Sequence, residues 1–397
     1  MRAMLGMVEF FFFTLIIVVI IKRIRIKGIN KLILIVSGMF AILAFFQGVS
    51  ELSDLQEAFG HLRLLKHSGM SYFKNSDYTV QIYFGGKITM QLYFLLMSKL
   101  PFLNFYSATA VFVMYFCVLK AIDIACKKWD IDEGTEKNLF LFFILIFPFY
   151  SAANGVRNYF AFSIVTLGLA LDLLKEKKFL PWILYLIAGF FHPAAWLLIA
   201  IRCMLPVRSI VVKIVVFFLL AFWSRMIDII ASLLRPFTYI DIVSQAYSKL
   251  TTYTLLEGTT FNFGDVFNTS SAYMMMVGFR ILFIIVVLWL IFSIWRRKRK
   301  ISSLTTYVFY LSAFALGSAA ANVATNVLAR YSTAIFMVTG LFLCEYYRSD
   351  TRKKFILIGN TKISASTFML GMCVLLLNWY MYTNQYTSFF INFKLLT

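Results

Sequence analysis

Acidic residues are scarce in this 397-residue sequence: 18 Asp and Glu stand against 38 Lys and Arg, and 14% of positions are charged. A soluble globular chain is nearer roughly 25% charged. That scarcity excludes the two or three soluble domains that length alone would allow. Polar/apolar alternation is also missing. Runs such as Phe10 to Ile21 do not fit the strands of a transmembrane barrel, which alternate. The five cysteines, Cys117, Cys126, Cys203, Cys344 and Cys373, form no CxxC pair and fall in or beside apolar runs. They read as buried small hydrophobes rather than disulfides or metal ligands, and no metal or cofactor is expected. No Cys/His zinc spacing and no Gly/aromatic RNA-binding pattern is present, so the +20 charge does not point to nucleic acid. The first apolar run passes straight into Lys22-Arg23-Ile24-Arg25-Ile26-Lys27. It lacks a small-residue cleavage site and reads as a retained span. Neither a low-complexity tail nor an internal repeat is visible, and paired halves would be the commoner mark of a secondary transporter.

What is abundant is apolar sequence: 61% of residues are hydrophobic and the mean hydropathy is +0.81. Apolar runs of spanning length recur from end to end, and backbone groups in hydrocarbon must be satisfied within their own segment. The sequence therefore predicts an all-α, polytopic integral membrane protein, with residues 1–397 forming one membrane domain. The basic residues sit in short clusters between these runs, as cytoplasmic anchors do. They orient about 10 full spans with both termini outside and with external loops at 50–87 and 233–272. Residues 88–100, stopped by Pro101, are short for a span and are placed as a short interfacial helix at the outer face.

Residues 180–203 decide the orientation. A full crossing would put Arg202, Arg208 and Lys213 outside, and would invert Arg296-Arg297-Lys298-Arg299-Lys300 as well. A chain that turns back at His192-Pro193 keeps all of them inside. Proline has no N–H and disfavours helix at the residue before it, so a break there has a physical cause. The expectation is a re-entrant helical hairpin with His192 at its tip.

Ionisable groups within membrane segments are costly and commonly functional or paired. On this topology Arg157, His192, Arg225, Asp228, Arg280 and Arg330 all fall in the outer half, although they come from distant parts of the chain. Arg225 and Asp228, three residues apart on one helix face, read first as partners of each other. Arg157 and Arg330 lie near helix ends, where arginine also snorkels, but snorkelling is expected more on the inner side, which favours function. Arg280 admits both readings. A lone histidine is usually structural, yet His192 stands at a proline break. Several outward-facing cations suit a phosphate-bearing lipid, because the guanidinium fork grips phosphate oxygens at two points. The loop 50–87 adds Glu51, Asp54, Glu57, His61, His67 and Asp77. Glu51, Asp54 and Glu57 share a face if helical, either as a solvated surface or as groups that bind sugar hydroxyls or act as base.

Two stretches here resemble the EpsG family of bacterial polysaccharide polymerases, a Wzy-like class. One is Asn154-Gly155-Val156-Arg157-Asn158-Tyr159-Phe160-Ala161; the other is Ala188-Gly189-Phe190-Phe191-His192-Pro193-Ala194-Ala195. Weaker echoes are Ser53-Asp54-Leu55-Gln56-Glu57-Ala58-Phe59 and the pair Arg330-Tyr331. The chain departs from the family pattern at Phe46-Gln47-Gly48, where many members carry arginine, and at Asn158, where glutamine is commoner. The resemblance implies joining of oligosaccharide repeat units carried on undecaprenyl pyrophosphate, at the outer face of a bacterial cytoplasmic membrane. Arg157 and Arg330, assisted by Arg280, would bind pyrophosphate. His192 would take the proton of the acceptor hydroxyl, with Asp54 as the rival base. The implied partners are the lipid-linked oligosaccharide, membrane lipids, and a chain-length regulator and flippase of the same pathway. Two other readings stay open: a multi-spanning glycosyltransferase using a lipid-linked sugar, with Glu51 and Asp54 essential, and a flippase or exporter of the lipid-linked glycan.

Overall fold

A computed structural model describes residues 13–22, 28–47, 54–74, 78–206, 209–240, 243–244, 247, 271–297, 301–319, 326–349, 355–358 and 361–364. Residues 365–397 and most of the loop 233–272 lie outside the described residues. What is described is helical apart from one short antiparallel pair, β1 (Phe355–Ile358) and β2 (Thr361–Ser364). Beyond that pair the described residues are helical, in keeping with the all-α expectation.

The helices are α1 (Phe13–Lys22), α2 (Ile29–Phe45), α3 (Asp54–Ser68), α4 (Tyr78–Phe84), α5 (Ile88–Ser98), α6 (Phe105–Lys128), α7 (Glu133–Ile146), α8 (Phe149–Asn154) and α9 (Val156–Leu173). Next come α10 (Leu180–Phe191), α11 (Ala194–Cys203), α12 (Ile210–Ala221), α13 (Trp223–Leu234), α14 (Ser271–Arg297), α15 (Ser303–Ala319) and α16 (Asn326–Ser349). Four of them, α6, α9, α14 and α16, are long and apolar enough to cross a membrane. Counting the bent pair α12–α13 gives five.

Around α6 the bundle closes by aromatic and small-residue packing. Phe40 of α2 stacks on Tyr115 at 3.9 Å between centroids, and Gly340 of α16 leaves room for Ile122. Apolar surface is also left outward: Val211, Val215 and Phe218 of α12 and Ile285, Trp289 and Phe292 of α14 are exposed. Patches of this kind are rare on a soluble monomer and suit contact with lipid tails.

Local sequence explains the breaks. Pro148 and Gly155 bracket α8, which separates it from α7 before it and α9 after it. Residues 211–232 are likewise not one rod, since α12 and α13 meet at Phe222 with a bend of 68°. The described part of the segment 50–87, expected as a loop, is largely helical. It holds α3, a 3-10 turn (Gly69–Lys74) and α4, and it buries Leu55, Phe59, Leu62 and Leu65 along one face of α3.

His192 is extended (φ −147°, ψ 127°) before Pro193, which ends α10. The chain then reverses. At one level Gly168 of α9 faces the ring of Tyr185 in α10, and nearby Asp172 accepts from Tyr185 Oη at 3.1 Å. The same carboxylate pairs with Arg202 of α11. Both legs of the α10–α11 hairpin therefore meet the far end of α9, and the tip lies near its start. At 12 and 10 residues the legs are about 18 and 15 Å long, against a hydrocarbon core of about 30 Å.

Candidate functional site

Arg157 enters the site from the first turn of α9, where Gly155 ends α8 and lets the chain restart. Its guanidinium lies 4.2 Å from the ring centroid of Tyr83 in α4, a face-on cation–π arrangement. The Asp54 carboxylate, at the start of α3, is 3.6 Å from Arg157 Nη2. Arg157 is mostly enclosed and Asp54 largely exposed, so the ring and the acid hold the cation from one side.

Across from them stands His192. Packing fixes the hairpin tip: Phe191 stacks on Phe160 at 4.3 Å, Tyr93 lies 5.6 Å from Phe191, and Thr89 donates to Ile187 O at 2.9 Å. From α16, Tyr331 Oη donates to Ala194 O at 3.3 Å, which docks the first turns of α16 on the tip. The charges of Arg157, Arg330 and Lys87 all bear on the His192 imidazole. Its Nδ1 accepts the Ala194 N–H at 3.2 Å and so caps α11. In that tautomer Nε2 carries the ring hydrogen and is the nitrogen able to donate.

Four of the five residues expected at a site are thus brought together: Asp54, Arg157, His192 and Arg330. Arg280 is not in the same position. It is 2% exposed and donates from Nη1 to Ala329 O at 2.6 Å and to Ser332 Oγ at 2.5 Å. Its guanidinium is built into the α14–α16 contact and steadies the turn that carries Arg330. Arg225 falls on α13, and the Asp228 side chain lies outside the described ones.

Sequence reading passed over Lys87 and Tyr83. Lys87 follows Gly85-Gly86, where Gly86 takes a positive φ of 69°, a conformation that glycine adopts freely. Its Nζ donates to Tyr83 O at 2.7 Å. Burial, reinforced by the charge of Arg157, pushes its ammonium down to about 8. The Gly-Gly-Lys turn was a visible signal. Tyr83 carried none, since one tyrosine among 21 does not stand out without the fold. Burial pushes its phenol up, so it stays protonated and neutral.

The opposite end of the bundle carries different chemistry. Asp123, enclosed in α6, accepts from Lys120 and Lys127 at 2.6 Å each. Glu345 accepts from Thr305 Oγ1 at 2.6 Å and Ser302 Oγ at 2.5 Å. Cys126 and Cys344 approach to 3.5 Å with both buried, whereas Cys203 is exposed. At this end the acids have basic or hydroxyl partners, and at the first end the charges of Arg157, Arg330 and Lys87 bear on one imidazole. Among the described residues no cluster of three or more His, Cys, Asp or Glu has the arrangement of a metal site. Compared with protein-family models, curated proteins and solved structures, the chain matches none.

Proposed function

We propose that this protein is a polysaccharide polymerase of the EpsG type. On this reading it transfers a glycan from undecaprenyl pyrophosphate to the terminal sugar hydroxyl of a second lipid-linked repeat unit, at the outer face of a bacterial cytoplasmic membrane. One observation carries the reading: Arg157, Lys87 and Arg330, from three separated segments, all bear on His192 at one end of an apolar bundle. Such a cluster suits a dianionic headgroup delivered from the bilayer, and it would stabilise charge building on a pyrophosphate leaving group. Arg157 and Arg330 bind the two phosphates, Arg280 holds the helix carrying Arg330, and His192 donates Nε2–H to the departing oxygen. Asp54 orients Arg157.

The same proposal sets about ten spans, with α10–α11 as a re-entrant hairpin and α5 at the outer interface. The flippase and chain-length regulator of such a pathway would be separate proteins. Cells carrying Arg157→Ala or Arg330→Ala are expected to lose polymer and accumulate single lipid-linked repeat units. Polymer of normal length and amount from both variants would rule out the assignment.

A further inference from the structure

The proposed site has a donor side but leaves the acceptor hydroxyl without a base. Asp54 is paired with Arg157, and the Nδ1 lone pair of His192 is taken by Ala194 N–H. Glu57 lies one turn beyond Asp54 on α3 and is about as exposed, at 54% against 56%, but its ion-pair partner is His61 rather than the Arg157 guanidinium, so its carboxylate is open to a bound sugar beside the cation. His61 stands four residues further on the same face, buried at 9% exposure, with Nε2 3.8 Å from Glu57 Oε1.

The other face of that imidazole is fixed. At Gly69, with φ 59°, the chain leaves α3 and turns back. This brings Tyr72 Oη to 2.6 Å from His61 Nδ1. Tyr83 and Phe84 enclose the ring, with centroids at 4.2 and 5.2 Å. With Tyr72 O–H as the donor to Nδ1, the ring carries its hydrogen on Nε2, the nitrogen on the side of the Glu57 carboxylate.

Building on the polymerase reading, we propose that Glu57 is the catalytic base of the acceptor half-site, with His61 and Tyr72 as its positioning residues. Glu57 takes the acceptor O–H proton. The acceptor oxygen bonds to the anomeric carbon of the donor glycan, the bond from that carbon to the pyrophosphate oxygen breaks, and the electron pair departs with pyrophosphate. The proton then passes from Glu57 to solvent. Glu57 is faced by His61 and Asp54 from its own helix, Tyr83 from α4, Lys87 before α5 and Arg157 from α9. His61 first, then Arg157 and Lys87, hold its carboxyl below the usual carboxylate range. A pyrophosphate neutralising Arg157 and Lys87 relaxes part of that hold, so the base strengthens once the donor is seated.

Purified full-length protein in lipid nanodiscs, given a synthetic lipid-pyrophosphate repeat unit, tests this. Glu57→Gln is expected to lower kcat by about 10²- to 10⁴-fold, the range of general-base catalysis, with KM changed less than about threefold. His61→Gln is expected to keep activity but move the acid limb of kcat to higher pH, because Glu57 loses the contact that keeps it ionised. Full kcat in Glu57→Gln, while wild type polymerises, overturns the base and leaves the polymerase reading intact. Lower activity in His61→Gln with an unmoved acid limb overturns the positioning role. Failure of the wild type to polymerise tells against the polymerase reading instead.

Discussion

Arg202 of α11 and Asp172 of α9 form an ion pair at the base of the hairpin whose tip is His192. The pair ties the far ends of two helices together, and Tyr185 of α10 donates to the same carboxylate. Both side chains are mostly enclosed, at 18% and 13% exposure. Removing one partner strands the other charge, which in buried pairs costs roughly 3 kcal/mol or more. Asp172→Asn and Arg202→Met are each expected to lower thermal stability in detergent and to weaken polymer formation. The double variant is expected to recover part of the stability, which a double-mutant cycle would measure.

The same pair implies a topology. If α10–α11 turns back within the membrane, a reporter fused after Arg208 reads from the cytoplasmic side. A periplasmic signal there would contradict the re-entrant hairpin and reverse the orientation of every later span.

Tyr83 acts on Arg157 through its ring. Tyr83→Phe keeps the ring and is expected to leave KM nearly unchanged. Tyr83→Leu removes the cation–π contact, worth about 1 kcal/mol, and is expected to raise KM roughly fivefold by the same scale. Equal effects of the two substitutions would show that the hydroxyl, not the ring face, matters.

On the polymerase reading, Lys87 sets an alkaline limit for the site. Its ammonium is pushed down to about 8 in the free protein, so it is charged below that pH and loses its pull on an anion as pH rises through it. Substrate KM is expected to increase above about pH 8, and Lys87→Arg to move that increase upward, because arginine stays protonated. A KM flat to pH 9 in the wild type would exclude Lys87 from binding.

Much of this was legible in the sequence, for reasons that also mark its limits. Spanning helices such as α6 and α16 follow from long apolar runs, and the turn at His192 follows from Pro193 together with the placement of Arg202 and Lys213. Arg157 and Arg330 stood out because charge in an apolar run is conspicuous. The segment 54–84 was opaque. Its groups act through contacts such as Arg157 on Tyr83, across more than seventy positions, and through His61 and Tyr72, joined only once Gly69 turns the chain. Arg280 was legible as an unusual charge, though its contacts were not. The bonds of its Nη1 to Ala329 O and Ser332 Oγ join positions about fifty residues away and show only in the fold. The bend at Phe222 had no proline or glycine to announce it.

His192 separates capping from chemistry. Asparagine can accept the Ala194 N–H as a helix cap but lacks an imidazole donor. His192→Asn is expected to retain thermal stability and lose activity, whereas His192→Ala also loses about 1 kcal/mol of stability, the typical value of a cap. Full activity in His192→Asn would make the residue a cap alone.

Lengthening of a lipid-pyrophosphate-linked repeat unit by purified protein, wild type beside Arg157→Lys, is the most direct measurement. The wild type is expected to build a ladder of longer glycans and release undecaprenyl pyrophosphate. Arg157→Lys, which keeps the charge but loses the two-point fork, is expected to fall at least tenfold. No lengthening by wild-type protein that is folded and supplied with the correct repeat unit would contradict a polymerase at this site.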